Sequence, residues 1–253
     1  PLEGGQGVLV AAEDVSHLSD VAQQRRDFVA NVSHELRTPL TALLGFIETL
    51  QGPARDDPAA RARFLATMAR EAERMNRLVC DLLSLSRVEA EERIRPTDPV
   101  DLAAVLGEVR AALAPAAEEA GATLDLALPE GRVTVPGDAD QLMQVFLNLV
   151  ENAIRYGGRR VEVIMHPPAP EPMLRGEAVC VEVIDNGEGI APEHVPRLTE
   201  RFYRVDSHRS REMGGTGLGL AIVKHIVSRH RGRLRIASKP GEGSRFSVYL
   251  PVS

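Results

Sequence analysis

The stretch "QGPARDDP", Gln51 to Pro58, constrains this chain most, because it interrupts two long runs that share one periodicity. Upstream, apolar residues recur at helical spacing through Leu18, Val21, Phe28, Val32, Leu43, Ile47 and Leu50. Downstream, Met68, Met75 and Leu82 keep one heptad register, and Leu78 and Leu85 keep the other. Gly52, Pro53 and Pro58 separate the two runs. Two long amphipathic helices joined by so short a turn are expected to fold back as an antiparallel hairpin. A lone hairpin cannot cover both sides of its apolar stripe, so pairing with a second copy into a four-helix bundle is expected. The alternative is a monomer whose stripe packs on its own second half.

A second break comes at "RIRPTDPV", where Pro96 and Pro99 end the helical regime and a mixed α/β pattern begins. "DLAAVLGEVRAALAPAAEEAG" reads as a helix stopped by Gly121. "ATLDLAL" alternates as a strand, with Leu124, Leu126 and Leu128 on one face. "DADQLMQVFLNLVENAIRYGG" is another helix, with Asp138 or Asp140 available as its cap. "VEVIMH" and "AVCVEVID" read as strands, and the Pro-rich "PPAPEPMLRG" between them as a surface loop. The segment after Gly219 is helical until Gly232, and "LRIAS" and "SRFSVYL" close as a hairpin around "KPGEG". The 253 residues leave room for one large domain or two small ones.

Composition narrows the class. A net charge of −6 argues against a general nucleic-acid binder, which carries a basic face. No apolar run approaches the roughly 18 to 20 residues of a membrane span. The chain opens without Met in "PLEGGQGVLVAAEDV" and is read as a piece of a longer protein, so the parent's membrane topology stays open. Cys80 and Cys180 are too few and too scattered for a disulfide framework or a zinc site, which fits a reducing compartment.

Four stretches carry candidate chemistry. In "NVSHELRTPL" a histidine, His34, stands beside a carboxylate, Glu35, with Pro39 a few residues on; taken alone, His34 is more simply read as a half-buried structural histidine. In "NLVENAIRY", Asn148 and Asn152 share one helix face, with Arg155 and Tyr156 one turn further, while Leu142, Val145, Leu149 and Ala153 face inward. That polar stripe suits a metal–phosphate ligand, with amide oxygens for Mg²⁺, arginine for phosphate and tyrosine against a base. It equally suits an ordinary solvated face. "VIDNGEGI" sets Asp185 at a strand end, where it can accept from an exocyclic amine, and Gly187 and Gly189 allow backbone to approach a flat ring; a plain Asp-Asn-Gly turn is the alternative. "GGTGLGLAIVKHIV" places Gly214, Gly215, Gly217 and Gly219 directly before a helix, whose N-terminus favours phosphate. It fits neither the dinucleotide fingerprint nor a P-loop.

Taken in order, "FVANVSHELRTPL", "NLVENAIRY", "VIDNGEGI", "ERFYRVD" and "GGTGLGLAIVKHIV" resemble the H, N, G1, F and G2 boxes of bacterial sensor histidine kinases. The resemblance runs from Phe28 to the C-terminus. "VDSHRSREMGGTGLGLAIVKHIV" most resembles the phosphate-regulon branch, and the opening "GVLVAAEDVSHLSDVAQQRRDF" is similar to a last PAS strand entering a signalling helix. The resemblance implies a dimeric helical hairpin followed by a Bergerat-type (GHKL) α/β sandwich that binds ATP. It divides the chain into a PAS remnant (1–16), a signalling helix and phosphotransfer hairpin (17–92), a linker (93–100) and a catalytic domain (101–253).

On this resemblance His34 takes the γ-phosphoryl of ATP and passes it to an aspartate in the receiver domain of a response regulator. Glu35 holds the ring tautomer and acts as base, and Thr38 serves dephosphorylation of the regulator. Asn152, helped by Asn148, binds Mg²⁺. Arg155 and Arg204 face phosphates, Tyr156 flanks the adenine, and Asp185 reads its amine. Gly187, Gly189 and Ile190, then Gly215, Thr216, Gly217, Leu218 and Gly219, complete the nucleotide site. Phe202 anchors a lid running from Arg204 to Gly214. The resemblance also implies a homodimer and a parent protein held in the bacterial inner membrane, with this part in the cytoplasm. Two departures stand out: "RYGGRR" replaces the Thr-Pro common after the aromatic residue, and the Pro-rich loop is longer than the minimum. Another Bergerat ATPase doing conformational work, or a non-catalytic dimerisation scaffold, are the competing readings.

Overall fold

The structure, a computed structural model, describes residues 16–90, 94–205 and 215–252. All of the expected PAS remnant but Ser16, and most of the expected lid, Gly214 included, lie outside them. The chain divides into two compact units, residues 1–71 and 72–253.

In the first unit the expected hairpin is present. Helix α1 spans Ser16–Gln51 and helix α2 starts at Pro58, running on to Ala90 in the second unit. The turn is built from local hydrogen bonds: the Gly52 and Ala54 amides donate to the Glu48 and Thr49 carbonyls. Asp57 caps α2, its Oδ1 accepting from the Ala59 and Ala60 amides at 2.9 and 3.0 Å. Across the hairpin the Phe46 and Phe64 rings stack at 5.4 Å. Helix α1 passes through Pro39, which is buried, although proline supplies no amide for the Glu35 carbonyl one turn back. One face stays uncovered: Val29, Leu40, Leu44 and Ile47 on α1, and Leu65 on α2, are exposed.

The second unit is an α/β sandwich. Among the described residues its main sheet runs β2 (Thr123–Ala127), β4 (Arg160–Met165), β6 (Gly176–Asp185), β8 (Gly243–Pro251), β7 (Arg233–Lys239). β2 pairs parallel with β4, and the other neighbours are antiparallel. Helices α3 (Leu102–Glu119), α4 (Ala139–Tyr156) and α5 (Gly219–Arg229) pack on the sheet. Alternation puts Val163, Val183 and Phe246 on one row of the sheet's inner face and Met165, Val181 and Val248 on the next, all buried. Leu142, Val145, Phe146 and Leu149 of α4 face them at 0 % exposure, each such side chain being worth about 1.5–3 kcal/mol over an exposed one.

The expected caps are realised. Asp138 caps α4, accepting from the Gln141 amide at 3.1 Å. Gly121 follows α3 in the left-handed conformation, at φ 66°. Three features differ from expectation. The Pro-rich segment is not a plain loop, because Ala169–Glu171 (β5) pairs antiparallel with Gly176, Glu177 and Ala178 and extends β6 into a hairpin. Leu128 lies beyond the end of β2 and is exposed, so only Leu124 and Leu126 share the strand's half-buried face. Asp98–Asp101 (β1) pairs with Thr134–Gly137 (β3) in a separate two-stranded sheet. Their single alternations are too short to stand out as strands.

Candidate functional site

His34 and Thr38 lie exposed on α1, with Glu35 half-buried between them. The Thr38 hydroxyl donates to the His34 carbonyl at 3.2 Å, the back-bond open to any helical threonine. Its oxygen keeps acceptor capacity toward solvent.

A second constellation forms at one end of the α/β unit, where the C-terminal half of α4, the turn after β6 and the entry to α5 meet. Asp185, 8 % exposed, accepts from the Gly187 amide at 2.9 Å and the Ser244 amide at 3.2 Å through a single oxygen, Oδ1. The two amides, with the Ser244 hydroxyl as a further hydrogen-bond partner, hold the carboxyl in place. Burial pushes this carboxyl above its ordinary range, against the pull of those hydrogen bonds. Ser244 carries no motif, so only pairing of β6 with β8 reveals it as a positioner of Asp185.

The glycines here are places where backbone meets backbone. A Cβ on Gly157 would fall 2.3 Å from the Asp185 Cβ, and one on Gly187 would fall 2.5 Å from the Tyr156 carbonyl oxygen. Gly189 sits at φ 70°, with a Cβ position 2.0 Å from the Lys239 carbonyl oxygen, so no side chain fits. Ile190 is held by its amide donating to Ser238 Oγ at 2.8 Å. The turn after β6 is thereby pressed against the end of α4, which joins Asp185 to Tyr156.

The entry to α5 is equally close. The Cβ position of Gly219 lies 3.0 Å from Asn148 Oδ1, so the first residue of α5 abuts the amide stripe of α4. Gly217, at φ 75°, approaches Phe202, whose amide donates to the Gly217 carbonyl at 2.8 Å. Phe202 itself holds a left-handed backbone, φ 64°, which costs an aromatic residue about 1–3 kcal/mol and recurs at functional sites. Arg204 donates to the Gly215 carbonyl at 2.7 Å. Asn148 and Asn152 are half-buried on α4 and Tyr156 is exposed. Arg155 pairs with Glu151 one turn back at 2.5 Å, and so in this structure it faces a carboxylate. The Thr216 hydroxyl accepts from the Leu218 amide at 3.3 Å and donates to Asp81 of α2 at 2.6 Å.

The structure thus gathers Asn148, Asn152, Arg155, Tyr156, Asp185, Gly187, Gly189, Ile190, Phe202, Arg204 and Gly215–Gly219 around one end of the α/β unit. Two amide oxygens, a fixed carboxylate and the backbone amides at the start of α5 suit a magnesium nucleotide. Asn148 and Asn152 are the side chains able to hold the ion. Sequence reasoning missed Asp81, Glu151 and Ser244. Asp81 and Glu151 read as ordinary solvated carboxylates on helices.

Comparison with known proteins gives a consistent result. Residues 24–91 match the family described as His Kinase A (phospho-acceptor) domain. Residues 137–253 match the family described as histidine kinase-, DNA gyrase B-, and HSP90-like ATPase. The chain is 42% identical over 251 residues to the phosphate regulon sensor protein PhoR of Pseudomonas aeruginosa, covering 98% of this chain and 55% of that protein. It is 40% identical to the sensor-like histidine kinase SenX3 of Mycobacterium tuberculosis, over 96% of this chain and 58% of the relative. The sensor protein kinase WalK of Staphylococcus epidermidis is 38% identical, over 97% of this chain and 39% of the relative. The chain therefore spans well under two thirds of the length of these curated relatives. Among solved structures, the Acinetobacter baumannii histidine kinase AdeS aligns with a TM-score of 0.65 at 26% identity, covering 87% of this chain and 98% of that one. Full-length ShkA in complex with AMPPNP aligns with a TM-score of 0.62 at 26% identity, over 90% of this chain and 46% of that one.

Proposed function

Since the chain belongs to the two-component sensor histidine kinases, we propose that it phosphorylates itself on His34 with ATP and passes the phosphoryl group to an aspartate of a response regulator. The observation that carries this reading is the convergence of Asn148, Asp185 and the glycines of α5's entry on one cradle. Asp185, oriented by Gly187 and Ser244, accepts from the adenine amine, and Tyr156 flanks the ring. Thr216 and the amides at the start of α5 receive phosphate oxygens. Arg204 faces the phosphates, and Arg155 joins it by exchanging Glu151 for phosphate. Asn152 and Asn148 hold Mg²⁺, which supplies charge neutralisation along the phosphate chain. At His34 an unprotonated ring nitrogen attacks the γ-phosphorus, the bond to the β–γ bridging oxygen breaks, and ADP leaves with that electron pair. Glu35 takes the proton from the other ring nitrogen.

The exposed stripe of Val29, Leu40, Leu44, Ile47 and Leu65 supports a homodimeric bundle, because a face this apolar is covered when two hairpins pair. A receiver domain is the partner that reads exposed His34. Thr38 is assigned to dephosphorylation of that regulator, its oxygen orienting water while its hydroxyl goes on donating to the His34 carbonyl. Residues 17–92 form the dimerisation and phosphoacceptor part and 101–253 the nucleotide part. We place the parent protein at the bacterial inner membrane on family resemblance; no helix among the described residues is long and apolar enough to cross one. Phosphate-starvation signalling is the pathway favoured by the PhoR identity, and a panel of purified regulators tests it.

Incubation with γ-labelled ATP tests the core reading. Label is expected that is lost in acid and kept in alkali, as phosphohistidine is, and His34→Ala should abolish it while nucleotide binding persists. Persistent acid-labile label in that variant would move the phosphoacceptor. For Thr38→Ala, normal His34 labelling with slowed decay of a purified phospho-regulator is expected, and unchanged decay would remove the phosphatase role.

A further inference from the structure

Helix α2 reaches the nucleotide cradle through polar groups on its last turns. Asp81 Oδ2 accepts from the Thr216 hydroxyl at 2.6 Å, Ser84 donates to Gln144 of α4 at 2.8 Å, and Glu89 pairs with Arg201 at 2.5 Å. Around them Leu78, Leu85 and Val88 are buried at 3%, 1% and 2% exposure, so the helix is seated rather than grazing. His225 of α5 approaches the same Glu89 oxygen at 3.7 Å.

The contact at Thr216 has a chemical consequence. A threonine hydroxyl has one proton to donate, and here it goes to a carboxylate. The amide of Leu218 already donates to the hydroxyl oxygen, which helps set its direction. A phosphate oxygen entering the cradle requires the same proton and brings negative charge toward Asp81 and neighbouring Glu151. Two anions cannot share one donor, and in a half-buried site their repulsion is poorly screened. Burial already raises the Asp81 carboxyl above its ordinary range; the Thr216 bond opposes that rise and Glu151 adds to it.

We propose that Asp81 and the nucleotide's phosphate chain compete for the Thr216 hydroxyl, so that seating of α2 and occupancy of the phosphate subsite exclude one another. The inference rests on the assignment of Thr216 to phosphate made above. Linkage makes the effect reciprocal: a signal that lifts α2 strengthens phosphate binding by the factor with which phosphate lifts α2. Adenosine, which has no phosphate, is indifferent to the contact. Asp81 is in this sense a positioning residue for the Thr216 hydroxyl, outside the binding machinery itself.

The test uses the full chain, with Mg-AMPPNP and adenosine as probes, and compares wild type with Asp81→Ala by calorimetric titration. Mg-AMPPNP should bind about three- to tenfold more tightly to the variant, the net worth of one ordinary hydrogen bond, and adenosine should bind with unchanged affinity. Without nucleotide, amide hydrogen exchange across Gly215–Gly219 should quicken in the variant. Asp81→Asn, which keeps the side-chain size and loses the charge, should give a smaller gain and serves if the alanine variant misfolds. Unchanged Mg-AMPPNP affinity, or equal gains for both probes, would overturn the competition. Wild-type protein binding neither probe would overturn the nucleotide assignment as well, whereas wild-type binding without an Asp81 effect would overturn the competition alone.

Discussion

The helical hairpin and the α/β unit solve the burial problem in opposite ways. In the hairpin, Val29, Leu44 and Leu65 remain 60%, 54% and 52% exposed, although the turn, cap and ring stack are all in place. In the α/β unit, Phe146, Leu142, Leu149 and Val183 are at 0 %, and three helices close over the sheet. Two helices have only one interface between them, while a sheet under three helices has a whole layer. The first region therefore needs a second chain for its core, and the second region contains its own. That division suits a protein in which the hairpin transmits by association and the sandwich holds a ligand.

The largest expected effect breaks the self-contained side. Phe146→Ala should cost the α/β unit about 3–5 kcal/mol, through lost burial and a cavity under the sheet. Its unfolding, followed by circular dichroism and calorimetry, should be independent of protein concentration; a concentration-dependent transition would show that this unit also needs a partner. Next, Asp185→Asn keeps an acceptor for Gly187 and Ser244 but turns an amide donor toward the adenine amine. Adenosine affinity should drop by about 1.5–3 kcal/mol with little loss of stability. Equal loss of stability would assign Asp185 to the fold instead. On the hairpin side, Leu44→Ala should weaken self-association by about 1–2 kcal/mol per protomer, read as a shift to monomer in sedimentation equilibrium. No shift would make the exposed stripe a surface for something else.

The smallest effect concerns acid. His230 is fully buried, with Nε2 accepting from the Asp138 amide at 3.0 Å and Nδ1 directed at the Ile226 carbonyl at 2.8 Å, which requires the neutral Nδ1–H tautomer. Burial lowers its pKa; the Ile226 bond and Asp138 oppose the shift, while Arg229 and Arg95 add to it. With the folded pKa below the ordinary histidine value of about 6.5, the unfolded chain binds the proton more readily. Stability from this group is thus complete above that value and is lost as pH falls toward the folded pKa. The α/β unit's melting temperature should decline over that window, and His230→Phe should flatten the decline. An unchanged profile in the variant would shift the acid sensitivity to other groups.

Much of the candidate site could be read in advance because its parts are local. The stripe of Asn148, Asn152, Arg155 and Tyr156 needs only helical spacing, and the cap at Asp138 needs only the residues after it. β5 could not be read, since Ala169–Glu171 owes its strand conformation to pairing with β6 and not to its own Pro-rich sequence. The partners of Arg155 and Thr216 were likewise invisible. Glu151 lies one turn before Arg155 but carries no motif, and Asp81 lies 135 residues from Thr216.

By itself, then, the sequence determined the hairpin, the break to an α/β pattern, and the five motifs whose order identifies the family. Each of these is encoded within a turn or two of chain, where side-chain period, capping and proline chemistry act directly. Only the tertiary structure decided which amide orients Asp185, what His230 clasps, and what holds Thr216. Those pairs are 59, 92 and 135 residues apart. A hydrogen bond over such a span exists only after packing brings its ends together, because no local preference can offset the closure entropy of so long a loop.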